Sequence, residues 1–353
     1  MEYSYPLLHK VFYHYKNLPH DVSNIYLVCC QHLLEPQLKM FELLIDFGFK
    51  PTYIIMLGKI YSSNTDIIQE LKDRGIQVSQ PQFSGVPFDE EHTKNCKTIS
   101  DSIPKNAEII ILDDGAEMIK AFSTSSHNVL FAVEQTSSGF RKLENTEISF
   151  PVINVARSDT KLIQESPFIA RLCFKRINEY LTKEQVLQPS VLVIGLGPIG
   201  EAILEIFRQN NFTVEGFDIK HGHKDLLSLI HKSKPDIIVG ATGSSILSTE
   251  DIENLSDTKR LHLISVSSSD REFPVAPFRK NTDTHTDVQY KNITFVNNGF
   301  PITFKGNRLE GTPTEMEKTM CLLGGSIIDA VVNGVKGSGL LNISNELEEI
   351  INN

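Results

Sequence analysis

The sequence has no excess of basic residues, and this absence excludes two large classes of partner. It contains 34 Lys and Arg against 44 Asp and Glu, which gives a formal net charge of -10 at pH 7. Nucleic acids and anionic membrane surfaces are both bound through clustered positive charge. We therefore expect neither a nucleic-acid partner nor a membrane partner.

Cysteines are scarce and unpatterned, and long apolar runs are missing. An odd number of cysteines without a CxxC spacing is typical of reduced thiols in a cytoplasmic protein and implies no metal site. His221 and His223 have the spacing of a ligand pair but no supporting acids or cysteines, so we interpret them as loop residues. No apolar stretch is long enough to span a bilayer, and the N-terminus does not have the apolar core of a signal peptide. The five cysteines are Cys29, Cys30, Cys96, Cys173 and Cys321.

Residues 191–220 carry the strongest pattern in the chain. Residues 191–194 (VLVI) are apolar and mostly β-branched, as in a strand buried on both faces of a parallel sheet. Gly195, Gly197 and Gly200 follow with the spacing GxGxxG. In a dinucleotide-binding turn the first glycine permits the tight bend and the second lets a pyrophosphate approach the backbone. The third lets the helix pack closely on the strand.

The residues after this turn complete a dinucleotide-binding pattern. Pro198 and Ile199 begin a helix that we expect to run to about residue 209, so that its N-terminal amides face the anion. A second strand at 212–217 ends at Asp218, where a carboxylate would bind the adenosine ribose. Because that carboxylate would repel a 2′-phosphate, NAD is favoured over NADP. Glycines alone also fit an ordinary tight turn, but this ordered set favours a nucleotide site.

Alternating strand and helix patterns extend through the chain. We predict an α/β fold of two Rossmann-like, doubly wound parallel-sheet domains with a cleft between them, in which a C-terminal helix at 314–332 returns to the first domain. The substrate-binding domain is predicted at 1–168 plus 314–353, and the NAD-binding domain at 169–313. Predicted strands lie at 24–30, 52–57, 108–112, 127–133 and 148–155, and predicted helices at 35–47, 66–74 and within 165–188.

Polar residues that follow these strands are candidates for chemistry. Asp113 and Asp114 follow a strand, where one could act as a general base or the pair could cap the next helix. His32 follows the first strand, as a proton carrier or as a structural hydrogen-bonding residue. Lys161 could take a proton from an alcohol if partly buried, whereas an exposed lysine would be a solvated surface residue. Thr136, Ser137 and Ser138 could bind a ribose or form a polar loop.

Read in order, these segments resemble one family, S-adenosylhomocysteine hydrolase. Each motif is short, but their colinear order over nearly the whole chain is specific. Besides His32, the match includes KIYSSN at 59–64, ILDDG at 111–115, EQTSSG at 134–139, PVINV with TK at 151–161, GLGPIG at 195–200, VGATGSS at 239–245, SVSSSD at 265–270, and NNGFPITFKG with EGTP near the end.

The resemblance implies a tightly held NAD and a small-molecule substrate, S-adenosylhomocysteine or a related nucleoside thioether or sugar, in one-carbon metabolism. A hydroxyl is transiently oxidised, the thiol is eliminated, water adds and the hydride is returned. Asp114 is implied as proton acceptor, His32 as the first active-site histidine and Lys161 as the lysine beside the sugar hydroxyls. The implied cofactor contacts are Thr136, Ser137, Ser138 and Thr242, together with Gly195, Gly197, Pro198, Ile199, Gly200 and Asp218.

The chain departs from the family pattern at several acid and base positions. Gln135 replaces a glutamate, and Ser268 and Thr312 replace histidines. Since each such group usually contributes about a hundredfold or more to proton transfer, the alternative to an enzyme is an NAD-binding regulatory protein with reduced catalysis. The chain also ends without the family's Lys and Tyr tail that reaches a neighbouring subunit's NAD, which weakens the expectation of a tetramer. The assembly considered is a homodimer. Further departures are Leu34, Glu165, Ser166 and Ala170.

A third hypothesis is a two-domain hydroxyacid dehydrogenase. Such an enzyme needs an arginine and a histidine in the cleft, and the pair considered for these roles within residues 265–312 is Arg271 and His285. Because neither stands in the expected setting, we disfavour this hypothesis.

Overall fold

The computed structural model describes residues 4–221, 225–257, 259–280, 283–305 and 313–353. These residues form two compact units. The first contains residues up to 82, residues 92–165 and the C-terminal residues from 313, and the second contains residues 83–91 and the described part of 166–310. No helix within the described residues is long and apolar enough to cross a bilayer. All five cysteines are buried free thiols.

Strands and helices alternate along most of the chain. The strands are β1 (Ile25–Leu33), β2 (Ile54–Ser63), β3 (Gln77–Ser79), β4 (Glu108–Asp113), β5 (Asn128–Glu134), β6 (Pro151–Asn154), β7 (Ser190–Ile194), β8 (Thr213–Phe217), β9 (Ile237–Gly240), β10 (Leu261–Ser265), β11 (Val288–Tyr290), β12 (Ile293–Phe295) and β13 (Gly339–Asn342). The helices are α1 (Pro6–Lys16), α2 (Glu35–Phe47), α3 (Thr65–Asp73), α4 (Phe88–Ser102), α5 (Glu117–Ser123), α6 (Ser137–Leu143), α7 (Ser166–Lys183), α8 (Pro198–Gln209), α9 (Leu226–Ser233), α10 (Thr249–Leu255), α11 (Pro313–Asn333) and α12 (Asn345–Asn352).

The first unit is built on a seven-stranded sheet in the order β13-β6-β5-β4-β1-β2-β3, in which every pairing is parallel. Consecutive residues of β1 belong to different cores: Leu27 faces one core, and Val28 faces the other. Both faces are therefore covered, which explains why β1 and β4 are apolar along almost their whole length. Each buried aliphatic side chain contributes about 1.5–3 kcal/mol through removal from water.

The C-terminal helix belongs to the first unit, as the sequence predicts. α11 packs against α1 and α2, and small residues let it approach them closely. A Cβ on Gly324 would lie 2.9 Å from the Phe12 ring and 3.1 Å from Met40. β13 follows α11 and extends the sheet by pairing in parallel with β6. This edge strand carried no clear sequence signal.

The second unit contains a six-stranded sheet in the order β11-β12-β10-β9-β7-β8. Only the pairing of β11 with β12 is antiparallel. Along β7, Val191 and Val193 face one core while Leu192 and Ile194 face the other, so this sheet is also covered on both faces. The predicted fold class, two doubly wound parallel-sheet α/β domains, is confirmed.

A short segment from the first half of the chain, residues 83–91, belongs to the second unit. Its anchor is Arg279, a buried side chain that forms an ion pair with Asp270. Arg279 also donates a hydrogen bond to the carbonyl oxygen of Gly85 at 2.9 Å and lies over the Phe83 ring, 4.8 Å from its centroid. The backbone N–H of Phe88 donates to the Asp270 carboxylate at 3.1 Å. One buried ion pair therefore organises the whole segment.

Replacing Arg279 with methionine should lower the free energy of unfolding by about 3–5 kcal/mol, because Asp270 would remain buried without its cation. The measurement is the urea midpoint at pH 7. The control is Lys97→Met, which removes an exposed ion pair with Asp101 and should leave the urea midpoint nearly unchanged. Equal losses in the two variants would contradict the anchoring role of Arg279.

Candidate functional site

Three charged or ionisable side chains from neighbouring strands of the first unit meet at the carboxyl edge of the sheet. His32 is in β1, Lys59 is in β2 and Asp114 directly follows β4. The His32 Nε2 lies 3.3 Å from one carboxylate oxygen of Asp114, and the Lys59 ammonium forms an ion pair with the other. All three side chains are at least nine-tenths buried. Parallel strands end at one edge, so residues far apart in sequence converge there.

The protonation state of each of these three groups depends on the other two. Burial alone would raise the pKa of Asp114, but the Lys59 ammonium and the His32 ring hold the pKa of this carboxyl well below its usual range. Burial works against the charge of Lys59, yet the carboxylate of Asp114 raises the pKa of the lysine. For His32, burial together with the charges of Lys59 and Lys161 lowers the pKa, and this outweighs the opposing effect of Asp114. Near neutral pH the set is a carboxylate, an ammonium and a neutral imidazole.

This charge state does not favour Asp114 as the proton acceptor that the resemblance implies, because a carboxylate so strongly stabilised is a weak base. The ionised Asp114 can only accept hydrogen bonds, so the Nε2–H of His32 donates to it. The other ring nitrogen, Nδ1, lies 2.5 Å from the hydroxyl oxygen of Ser62 and accepts its hydrogen. Ser62, His32, Asp114 and Lys59 thus form one hydrogen-bonded chain.

The neighbouring acid, Asp113, takes the structural role that was the alternative for this pair. Its Oδ2 accepts a hydrogen bond of 2.8 Å from the backbone N–H of Ile119 in the first turn of α5. Glu134 lies opposite Asp113 on β5 and accepts from the backbone of Ala116 and Thr136 at 3.0 and 2.7 Å. Burial raises the pKa of both Asp113 and Glu134; the charge of Asp114 adds to the rise for Asp113, and the charge of Asp113 adds to it for Glu134.

The hydroxyl cluster forms the beginning of a helix and not a loop. Thr136 is the N-cap of α6, and its Oγ1 accepts from the N–H of Gly139 at 2.9 Å while donating to Glu134 at 2.7 Å. Ser137 and Ser138 are the first two residues of α6. A Cβ at Gly139 would fall 2.2 Å from the Glu134 carboxylate, so a larger residue there would displace that carboxylate.

Two buried side-chain oxygens at the same sheet edge have no hydrogen-bond donor among the residues that the structure describes. They are Oε1 of Gln135, which follows β5, and Oδ1 of Asn154, the last residue of β6. A buried acceptor without a donor costs free energy, so both oxygens are suited to a ligand that brings hydroxyl or N–H groups.

Lys161 begins a single π-helical turn, Lys161–Glu165, that follows β6. Its ammonium lies 2.7 Å from the Glu165 carboxylate, and its side chain is 13% exposed, so it is not a solvated surface lysine. Its charge also contributes to the lowered pKa of His32, after burial, which places it in the same electrostatic environment. In the first unit, His32 and Asp114 are thus in contact, and the charge of Lys161 acts on the His32 ring.

The three fingerprint glycines of the second unit occupy different environments. Gly195 has φ +92°, a conformation that favours glycine. A Cβ on Gly200 would lie 1.8 Å from the carbonyl oxygen of Gly195, so the close packing of helix on strand requires glycine there. A Cβ on Gly197 would meet no atom within 4 Å. The second glycine therefore borders open space, where a pyrophosphate would approach the backbone.

Helix α8 begins immediately after Gly197, with Pro198 and Ile199 in its first turn. The first N–H groups of a helix have no partner within it and attract anions. Asp218 follows β8, and its two carboxylate oxygens accept 2.8 Å hydrogen bonds from the backbone of Leu196 and Lys220. The acid of the fingerprint therefore lies directly against the glycine turn.

Two residues that organise these edges, Lys59 and Glu272, are not predicted as site residues from the sequence. Glu272 is fully buried and accepts hydrogen bonds from the backbone of Thr242 at 2.6 Å and Gly243 at 3.1 Å, and from the hydroxyl of Ser265 at 2.6 Å. It thereby fixes the loop that carries Thr242 beside Gly195. Neither Lys59 nor Glu272 has a sequence spacing typical of a functional site. The only signal is that Lys59 lies within the segment KIYSSN.

The remaining predicted positions take other roles or lie outside the described residues. Arg271 forms a 2.9 Å ion pair with Asp89, and the Nδ1 of His285 contacts the Asn297 side chain at 3.2 Å. Thr312 and His223 lie outside the described residues. Within the described part of the chain, no group of three or more His, Cys, Asp or Glu side chains could hold a metal ion.

No family model matches this chain. It is 30% identical over 333 residues to a Mycobacterium tuberculosis protein described as uncharacterized, MT0113 in strain CDC 1551 / Oshkosh and Rv0104 in strain H37Rv. The match covers 88% of this chain and 65% of those proteins, so the chain spans less than two thirds of the length of the relatives it matches.

Among solved structures, the chain is similar to dehydrogenases at low identity. A putative D-3-phosphoglycerate dehydrogenase of Ralstonia solanacearum has a TM-score of 0.45 and 11% identity, covering 92% of this chain and 97% of that one. The NAD+-bound 3-phosphoglycerate dehydrogenase of Entamoeba histolytica has a TM-score of 0.43 and 12% identity, covering 88% and 97%. At these scores the similarity identifies neither a family nor a substrate.

Proposed function

We propose that this protein is an NAD-dependent enzyme of the S-adenosylhomocysteine hydrolase type. Its substrate would be S-adenosylhomocysteine or a related nucleoside thioether or sugar, with a hydroxyl transiently oxidised by tightly held NAD. The observation that supports this proposal is the buried contact between His32 and Asp114. The resemblance nominates these two residues and Lys161 from separate motifs, and the charge of Lys161 acts on the His32 ring.

The residues of the second unit fit NAD. Gly197 borders open space at the N-terminus of α8, which suits a pyrophosphate. Asp218 presents a carboxylate beside the glycine turn, which suits a ribose with free hydroxyls and would repel a 2′-phosphate. When bound, NAD would supply a hydride acceptor that is regenerated within each cycle.

In the first unit, the proposal assigns binding and proton handling to named groups. The Lys161 ammonium lies beside the reacting hydroxyl and favours its deprotonation by stabilising the developing negative charge. Asp114 orients the His32 ring, and the neutral imidazole carries the proton. The buried oxygens of Gln135 and Asn154 accept hydrogen bonds from the sugar hydroxyls, which supply the donors that both oxygens lack among the described residues.

A second candidate is a binding or regulatory protein that holds NAD and performs no turnover. Gln135 favours it, since an amide cannot exchange a proton as a carboxylate does. Ser268 favours it as well, because the resemblance implies a histidine at this position. The two candidates differ in one measurable respect, namely whether the bound cofactor is reduced by a substrate.

The first test of cofactor binding is Gly197→Ala. Its φ of -78° suits alanine and the added Cβ meets no atom, so we expect the free protein to keep its stability to within about 0.5 kcal/mol. The methyl group would occupy the space next to the pyrophosphate, so bound nucleotide should fall at least about tenfold. The measurement is mass spectrometry of the nucleotide released when the purified protein is denatured.

Glu201→Ala is the matched control for this variant, because Glu201 is exposed in the first turn of the same helix and should not affect nucleotide content. Unchanged nucleotide in Gly197→Ala would contradict the proposed pyrophosphate site.

The test of turnover mixes the holoprotein with adenosine, S-adenosylhomocysteine and close analogues, and records NADH absorbance and thiol release. We expect at least one compound to give both signals. Lys161→Ala and Asp114→Asn should each reduce turnover about a hundredfold or more. If no compound reduces the cofactor while NAD is demonstrably bound, the enzyme proposal fails and the binding protein remains.

Gln135→Leu tests the substrate side. Leucine removes a buried acceptor that has no protein donor among the described residues, so the free protein should be as stable as the wild type or more stable. The rise in Tm that the substrate produces in the wild type should be largely lost. Ser100→Ala, which removes a similarly buried hydroxyl in α4 without a described partner, should keep that rise.

A further inference from the structure

We propose that Lys59 is a positioning residue of this site: it holds the Asp114 carboxylate ionised and in place, so that the His32 imidazole remains neutral and able to take up a proton. The protonation states of Lys59, Asp114 and His32 follow from the geometry of the first unit alone. Only the use of that imidazole in turnover rests on the proposed function.

The two carboxylate oxygens of Asp114 have different partners. One carboxylate oxygen pairs with the Lys59 ammonium, and the other faces the His32 ring at 3.3 Å. Lys59 is 3% exposed, and Asp114 is its only side-chain partner within the described residues. Because the lysine comes from β2 and the histidine from β1, the carboxylate is held between two adjacent strands.

A buried carboxylate must be compensated by a cation. Two cations are available to Asp114: the Lys59 ammonium or a protonated His32. With Lys59 present, the compensation is complete and a second positive charge on the imidazole would be repelled. Without Lys59, the carboxylate would draw a proton onto His32, and the ring would cease to be a base.

The groups that face His32 from other elements agree with this balance. Asp114 favours the protonated ring, while Lys59 and Lys161 both oppose it, as does burial. Ser62 bonds the other ring nitrogen, and the Tyr61 ring lies edge-on with its centroid at 6.1 Å. Lys59 is therefore one of two positive charges that keep the imidazole neutral, and it is the one bonded to the carboxylate.

Two simpler roles for Lys59 fit less well. As a general base it would have to be neutral, whereas Asp114 raises its pKa and keeps it protonated. As a purely stabilising ion pair it gains little, because the cost of removing two charges from water offsets much of their attraction. The positive charge of Lys59 can control the protonation of the His32 imidazole, which an apolar pair in place of Lys59 and Asp114 could not do.

The experiment is an NMR titration of the His32 ring, with the signal assigned by its loss in His32→Gln. In the wild type we expect the pKa of His32 to lie below its ordinary value. Lys59→Met should raise it by at least about one unit, a tenfold change in proton affinity. Lys59→Arg, which keeps the charge, should leave it near the wild-type value. Asp114→Asn should lower it further.

Opposite shifts in Lys59→Met and Asp114→Asn would support the proposal, because general loosening of the site would move both variants toward the ordinary value. An unchanged or lowered His32 pKa in a folded Lys59→Met protein would overturn it. If Lys59→Met does not fold, Lys59→Gln replaces it, since glutamine keeps a donor to Asp114 without the charge. The same outcomes then decide the result.

The titration needs neither NAD nor substrate, so it can succeed when the proposed function fails, and the reverse. In an active enzyme, Lys59→Met should also move the acid limb of the kcat/KM profile to higher pH. Activity would then fall by up to about tenfold for each unit by which the pKa of His32 rises, at pH values below that pKa, and it would recover near pH 8.5. An equal loss at every pH would show a structural defect and contradict the positioning role.

Discussion

The structure depends on one constraint: both of its mainly parallel sheets are covered on both faces. Polar functional groups can therefore lie only at the edge where the strands end. Within each sheet the strands are apolar because both sides face a core. Polar side chains therefore occur where a strand gives way to a loop or helix. His32, Asp114 and Gln135 occupy this edge in the first unit, and Asp218 and Thr242 occupy it in the second.

At such an edge, each buried charge must be matched by a partner from another strand. Asp114 is matched by Lys59, which leaves His32 neutral, whereas Asp113 and Glu134 lie together and rely mainly on backbone N–H groups. The first arrangement stabilises an ionised acid, and the second raises the pKa of both acids. Two adjacent aspartates thus acquire opposite proton affinities because their partners differ.

The sequence predicts features whose determinants are local. Helices α2 and α8 begin and end where their apolar spacing indicates, and the glycine turn is recognisable because its strand, turn and helix are contiguous. The roles of Lys59 and Arg279 could not be predicted, since a basic residue is ordinarily exposed and only a distant carboxylate makes its burial tolerable. For the same reason, nothing local assigns residues 83–91 to the second unit.

The glycine turn depends on local backbone packing, whereas the edge of the first sheet depends on side chains that are distant in sequence. This difference determines which substitutions each site tolerates. The nucleotide turn is held by close backbone packing: a Cβ on Gly200 would lie 1.8 Å from the carbonyl oxygen of Gly195, so any larger residue at Gly200 would displace the main chain. The edge of the first sheet is held by side chains from separate strands, and a charge removed from one can be supplied by another. A site of this kind can carry an uncharged amide at Gln135 and still retain, through Lys59 and Asp114, an imidazole in a defined protonation state.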